Sequence, residues 1–315
     1  MDIIKQNNLF NWIGGKKWLN NHIISIMNID NKLKHINRYI EPFVGGMGAF
    51  KNFYTLLPKN TKIEYLINDI NYPLMTLYNT IQNNPENLIK EYKKIKINFE
   101  NYFPTTLFNK KDKIEVQNVL FDCQKYYLEQ RIIFNELKLN KNNPILMAAI
   151  FLFLMEYTFN GIYRENKKGE FNVGYNWKVN LIDTKMKIDT INYYNQFFNY
   201  INISFFNENY DYMFKFQTDN SLFYFDPPYV KSNEAKSKPN SYSENEFTIF
   251  NQNELLNKII TLNNFVYSNH ATNEIKKYFN NLDIKYNLIP RKNFISSKGN
   301  DRDKIIEEIL VYKFN

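Results

Sequence analysis

Two stretches of strand-and-helix alternation, separated by a long run of helix-period sequence, limit what this chain can fold into more than any other feature. In the first, from about Asn37, the short run Arg38-Tyr39-Ile40 leads to a glycine turn (Gly45, Gly46, Gly48) and a helical pattern through Leu57. A second run, Ile63 to Ile67, follows and closes on Asn68-Asp69. That order is a βαβ pattern. Alternation returns from about Ile191: Ile203–Phe206, Leu222–Phe225 and Phe265–Ser268 read as strands, Gln252–Thr261 as a helix and Glu308–Phe314 as a closing strand. Between the two, segments such as NPENLIKEYKKI and KIEVQNVLFDCQKYYLEQRIIF carry apolar residues at three- and four-residue spacing. The expectation is an α/β fold, a doubly wound sheet built from residues 1–71 and 189–315, interrupted by a mostly helical insert over residues 72–188.

Composition narrows the class. With 44% hydrophobic residues, 27 Phe and 24 Tyr in 315 residues, the chain can bury a large core and is not disordered. Lys and Arg number 40 against 32 Asp and Glu, a net charge of +8 that favours nucleic acid over membrane as a partner. Cys123 is the only cysteine, so neither an internal disulfide framework nor a cysteine-built zinc site is available, and a reducing compartment fits. His22, His35 and His270 are scattered without a second ligand at metal spacing, so no metal site is expected. The start MDIIKQNN lacks the basic and apolar regions of a secretory signal. The apolar stretch Ile145 to Met155 is 11 residues long, short of the roughly 20 a membrane span needs, and reads as a buried helix.

The most informative chemistry follows Leu222-Phe223-Tyr224-Phe225. Asp226-Pro227-Pro228-Tyr229 begins where an α/β sheet presents ligands, at the carboxyl end of a strand. The prolines make a rigid exit that leaves the carbonyls of Asp226 and Pro227 out of local turn bonding, and Tyr229 offers a flat face. This suits a planar substrate bearing an exocyclic NH2. Such a nitrogen is a poor nucleophile because its lone pair is delocalised into the ring. Two acceptors, the Asp226 carboxylate and the Pro227 carbonyl, would hold both N–H bonds and favour a tetrahedral nitrogen.

In YIEPFVGGMGAF a strand runs into Phe43-x-Gly45-x-x-Gly48, glycines that let backbone approach a ligand before a helix N-terminus. Asp69, ending the next strand, stands where an acid accepts ribose hydroxyls. Together they indicate an adenosine-containing cofactor. The incomplete G-x-G-x-x-G disfavours a dinucleotide, and Lys17 after Gly14-Gly15-Lys16 disfavours a P-loop. Cys123 has no preceding proline and no Pro-Cys-x-x-Cys occurs, which removes cytosine-C5 methylation and zinc deamination.

Taken in order, these motifs resemble the Dam-type DNA adenine-N6 methyltransferases, the DPPY group whose cofactor is S-adenosylmethionine. Phe10-Asn11-Trp12-Ile13-Gly14-Gly15-Lys16 resembles that family's N-terminal cofactor motif, and Ile67-Asn68-Asp69-Ile70-Asn71 its ribose-binding acid. Phe159-Asn160-Gly161-Ile162-Tyr163-Arg164 and Gly169–Val173 resemble its DNA-reading loop, Ser268-Asn269-His270 a late strand end, and Ile295-Ser296-Ser297 the turn before the last hairpin. The resemblance implies a Rossmann-like methyltransferase sheet, mostly parallel with a closing antiparallel strand, and an inserted domain that recognises DNA. Cofactor contacts would come from Trp12, Lys16, Phe43, Gly45, Asp69 and Asp226, and Asp226, Pro227, Pro228 and Tyr229 would also hold a flipped adenine. Lys16 suits the methionine carboxylate, and the faces of Trp12 or Tyr229 suit a sulfonium or a base.

DNA contacts would come from Asn11, Phe159, Asn160, Arg164, Tyr242 and Ser297, with Phe159 as a wedge in the stack and Arg164 gripping a guanine. Tyr242 and Phe247 are the aromatics of a polar segment from Val230 to Thr248 that reads as a flap over the flipped base. Three positions depart from the family pattern of GATC-like sites: Asn11 replaces a base-contacting lysine, Gly174 a proline, and Lys178 falls near a tyrosine position. The partners implied are double-stranded DNA and a restriction endonuclease. The chain is expected to be a monomer located wherever its target DNA resides, neither secreted nor in a membrane. Two rival readings are an N-methyltransferase acting on RNA or protein, and an inactive DNA-binding homologue. The DNA-reading loop argues against the first, and intact Asp226 to Tyr229 against the second.

Overall fold

A computed structural model describes residues 7–12, 14–16, 19, 22, 32–58, 62–104, 109–178, 180–230, 247–292 and 305–314. A seven-stranded sheet runs through the chain. Its strands are β1 (Arg38–Glu41), β2 (Glu64–Asn68), β3 (Asn202–Phe206), β4 (Ser221–Phe225), β5 (Phe265–His270), β6 (Tyr286–Lys292) and β7 (Ile305–Lys313), in the spatial order β3-β2-β1-β4-β5-β7-β6. The pairs from β3 through β5 are parallel, while β7 runs antiparallel to both β5 and β6. The doubly wound α/β expectation therefore holds, with the closing strand inserted beside β5.

The continuous apolar runs of the central strands follow from burial on both faces. In β4, Leu222 and Tyr224 join one core, while Phe223 and Phe225 join the other. On the second face, Phe214 stacks on Phe223 and Phe225 at 5.5 and 5.8 Å. Strand β6 is an edge strand, which is why Pro290 is tolerated there.

Helix α1 (Gly48–Leu56) links β1 to β2. Next come α2 (Tyr72–Asn83), α3 (Pro85–Asn101), α4 (Lys113–Val119), α5 (Phe121–Asn140) and α6 (Pro144–Tyr157), and α7 (Thr184–Tyr200) leads back into the sheet. The remaining helices, α8 (Ile249–Ile259) and α9 (Asn273–Asn281), flank β5. Asn71 caps α2 by accepting from the Leu74 N–H at 3.0 Å, and Asp183 caps α7 by accepting from the N–H groups of Lys185 and Met186. The apolar stretch expected to be a buried helix is α6, in which every residue from Met147 to Tyr157 is buried. Phe99 of α3 meets Phe153 and Tyr157 at 5.1 and 4.5 Å, and Phe134 of α5 stacks on Phe151 at 6.0 Å. Among the described residues, no helix is long and apolar enough to cross a membrane. Tyr78 of α2 stacks on Phe205 of β3 at 5.6 Å, so the sheet core and the helical core are continuous.

Helix α9 is absent from the alternation read in the sequence because its apolar signal is small: Ile275 and Phe279, one turn apart, are its buried residues.

Candidate active site

Reversal of strand order between β1 and β4 opens a crevice at the carboxyl ends of the parallel strands, the place where open α/β sheets bind ligands. A cleft of about 720 Å³ lies there, lined by Trp12, Lys16, Phe43, Gly45, Asp69 and the whole Asp226–Tyr229 segment. Every residue expected to touch cofactor or adenine thus reaches one cavity, from segments far apart in sequence.

One wall is the glycine turn. Gly45 has φ +47°, a backbone setting that favours glycine, and its N–H donates to Asp69 Oδ2 at 2.9 Å. Asp69 Oδ1 accepts from the Asn71 N–H at 2.9 Å. Burial raises the Asp69 pKa, and these two backbone donors offset only part of the rise. Trp12 closes over the turn: a Cβ on Gly45 would stand 2.7 Å from Trp12 Nε1, and one on Gly46 2.6 Å from Trp12 Cβ. The glycines are required because the indole takes the space a side chain would need.

Lys16 holds the opposite side. Only 2% of its side chain is exposed, and Nζ lies 2.8 Å from Asp226 Oδ1 and 3.5 Å from Glu308 Oε2, and also donates to the Tyr229 hydroxyl. Burial alone would lower its pKa, but Asp226, Tyr229 and Glu308 together outweigh burial and raise it above 10.5. The ammonium therefore stays protonated across neutral pH. It faces the Asp226 motif and lines the same cleft. Tyr229 donates to Glu308 Oε1 at 3.0 Å and stacks on His270 with centroids 3.9 Å apart.

Glu308 and Glu41 line this region without having been singled out from the sequence. Glu308, on β7, is 1% exposed; its signal is an acid inside the apolar run Ile305-Ile306-Glu307-Glu308-Ile309-Leu310-Val311. Glu41, at the end of β1, is also 1% exposed and accepts from the Tyr39 hydroxyl at 2.7 Å. Burial drives its pKa well above 4.5, the Tyr39 bond opposes this, and the nearby charges of Asp226 and Asp69 raise it further. Glu41, Asp69 and Asp226 thus line one cleft, with Lys16 bonded to Asp226 and to Glu308 beside it.

Phe43 packs edge-on to Phe247 at 5.9 Å and against Tyr210 at 5.4 Å. Phe247 is thereby anchored at the cleft wall. Tyr210, part of a short 3-10 turn (Tyr210–Phe216), was not foreseen.

The expected DNA contacts fall on the loop after α6 and on the N-terminal segment beside it. Phe159 is 51% exposed, and Arg164 is exposed with Nε donating to Asn172 Oδ1 at 2.9 Å. Asn160 lies between them in a 3-10 turn. Asn11 is exposed and abuts Gly161, where a Cβ would come within 2.7 Å of Asn11 Cβ. Of the departures from the family pattern, Gly174 is exposed, whereas Lys178 turns inward and donates to the Glu156 carbonyl. Tyr242 and Ser297 lie outside the described residues.

Comparison with known proteins agrees with this geometry. The family described as D12 class N6 adenine-specific DNA methyltransferase matches residues 12–296. The chain is 29% identical over 309 residues to the Type II methyltransferase M.MjaIII of Methanocaldococcus jannaschii, covering 96% of this chain and 97% of that protein. It is 28% identical over 304 residues to the Type II methyltransferase M1.LlaDCHI of Lactococcus lactis, covering 95% and 93%. It is 26% identical over 318 residues to the DNA adenine methylase of Escherichia coli, covering 98% and 97%. A match over nearly the whole chain, to proteins aligned end to end, places it with them: the chain belongs to the D12 class of N6 adenine-specific DNA methyltransferases and is an adenine-specific DNA methyltransferase.

Proposed function

We propose that the cleft binds S-adenosylmethionine beside a flipped adenine, with Asp226 and Pro227 holding the adenine N6 amino group. The observation that carries this reading is the fixed position of Asp226. Lys16 holds its Oδ1 at 2.8 Å, in the same cavity as the Gly45–Asp69 pair. The residues present fit the cofactor: Asp69 can accept from ribose hydroxyls, Trp12 and Phe43 offer flat faces, and the carboxyl-rich lining favours a cationic centre. S-adenosylmethionine supplies the methyl group.

The protein's part is positioning and preorganised electrostatics. The Asp226 carboxylate and the Pro227 carbonyl accept the two N6–H bonds, which draws the nitrogen lone pair out of the ring. Lys16 and Glu308 keep Asp226 and Tyr229 from rearranging as charge develops. Once N6 is alkylated, its extra proton leaves to water or through Asp226, and no covalent enzyme intermediate is needed. Incubating the chain with radiolabelled S-adenosylmethionine and duplex DNA, then digesting to nucleosides, tests the reading. Label is expected in N6-methyldeoxyadenosine, and label in another nucleoside, or none in the DNA, would overturn it.

Asp69 makes its contact in ground and transition states alike. Asp69→Ala should accordingly raise the cofactor dissociation constant by about tenfold, while lowering kcat at saturating cofactor by less than about threefold. Calorimetry and steady-state kinetics check the split, and equal cofactor affinity in the two proteins would refute the ribose assignment.

On the DNA side, the segment 72–188 carries the recognition surface, with Asn11, Phe159, Asn160 and Arg164 at its contact edge and Arg164 reading a guanine. Arg164→Ala should relax selectivity at one base position by about 1–3 kcal/mol. A phosphate contact would behave differently, weakening all sites equally and reducing the slope of log K against log salt by about one. Methylation rates on sites varied one base at a time decide between them, and an unchanged ranking would move Arg164 to the backbone.

A further inference from the structure

We infer that Tyr163 couples occupancy of the cofactor cleft to binding of duplex DNA by the loop of residues 159–177. The inference rests on the function proposed above, with cofactor in the cleft and DNA on the loop.

Trp12 is the bridge. The pyrrole edge of its indole meets Gly45 and Gly46 at the cleft wall, and its ring stacks on Tyr163 with centroids 6.0 Å apart and planes 19° from parallel. Tyr163 in turn stacks on Phe171, on the returning arm of the loop, at 5.3 Å and 22°. Its hydroxyl donates to Glu165, whose carboxylate also pairs with Lys138 of α5. The next residue is Arg164. One position earlier than Trp12, Asn11 abuts Gly161, so the segment that walls the cleft grips the loop at two adjacent points.

A ligand packed against Trp12 removes freedom from the indole and so favours the conformation in which Tyr163 is stacked. The loop then has less entropy to lose when it engages DNA, and DNA binds more tightly. By linkage, DNA must raise cofactor affinity by the same factor. Tyr163 is a positioning residue, touching neither reacting atom.

The test measures duplex affinity by fluorescence anisotropy with and without saturating S-adenosylhomocysteine, and S-adenosylhomocysteine affinity by calorimetry with and without duplex. Wild type should show the same ratio in both, about fivefold or more. In Tyr163→Leu the ratio should fall to about one while each ligand alone binds within about threefold of wild type. Tyr163→Phe, which keeps the ring, should retain most of the ratio. If the leucine variant does not fold, Tyr163→Met fills a similar volume without a ring face and takes its place. A ratio of one in wild type, or an undiminished ratio in the variant lacking the ring, overturns the inference. So does a variant whose binary affinities collapse, because Tyr163 would then be part of a binding site. Wild type that binds duplex but no S-adenosylhomocysteine would instead overturn the cofactor reading, and the coupling with it.

Discussion

Asp226→Ala should abolish methyl transfer, lowering kcat by about 10²–10³-fold or more, while duplex affinity stays within about tenfold of wild type. The carboxylate is the acceptor that draws the N6 lone pair out of conjugation, and that interaction strengthens only as the nitrogen becomes tetrahedral. Its loss therefore falls on kcat rather than on binding. DNA affinity is dominated by phosphate contacts, and Asp226 lines the cleft whereas Arg164 is exposed on the loop after α6. Single-turnover methyl transfer and anisotropy on the same preparation separate the two effects. Retained turnover above about a tenth of wild type would remove Asp226 from the chemistry.

The second large effect belongs to Lys16. Lys16→Met removes the ammonium bonded to Asp226, Tyr229 and Glu308, at a site where Lys16 and Glu308 are buried and Asp226 and Tyr229 partly so. Breaking a buried pair by deleting one partner typically costs about 3–5 kcal/mol, and urea unfolding should register a loss of that order. Adding Glu308→Gln to the Lys16→Met variant should recover part of it, because a buried carboxylate that faced the ammonium disappears. A double-mutant cycle reads this directly, and strict additivity would show that the two residues do not interact. The pH dependence follows from the direction of the Lys16 shift. Its pKa is higher in the folded chain than in the unfolded one. Its stabilising contribution is therefore fully present below the unfolded value of about 10.5 and is lost only as pH rises through the folded value. The deficit of the methionine variant should accordingly be flat from about pH 7 to 9.

Much of the site was legible in the sequence because its signals are local. The run Leu222–Phe225 has to be a strand buried on both faces, and the residues after it have to leave at its carboxyl end. Asp226 is placed by that alone. The same reasoning puts Asp69 after β2 and makes Gly45 a tight turn after β1. Resemblance to a known family then supplied the function, and the match over residues 12–296 bears it out.

What sequence could not supply is the set of partners each residue meets across the chain. Lys16 is picked out by its N-terminal motif, but only tertiary structure sets it against Asp226, Tyr229 and Glu308. Glu308 sits in a strand that joins the sheet by pairing antiparallel with β5 and β6, and long-range pairing leaves no periodic trace beyond an acid among aliphatics. Lys178 falls near a tyrosine position of the family pattern by sequence, and its amine turns inward to a carbonyl at the end of α6. The placement of Trp12 between the glycine turn and Tyr163 depends on two segments with no neighbouring sequence in common. Strand ends and turns are set by backbone rules that act over a few residues, so the chain by itself determined where the acids and glycines of the cleft would stand. Charge pairing and ring stacking act across whatever the fold brings together, so only the tertiary structure decided which cation holds Asp226 and which ring joins the cleft to the loop.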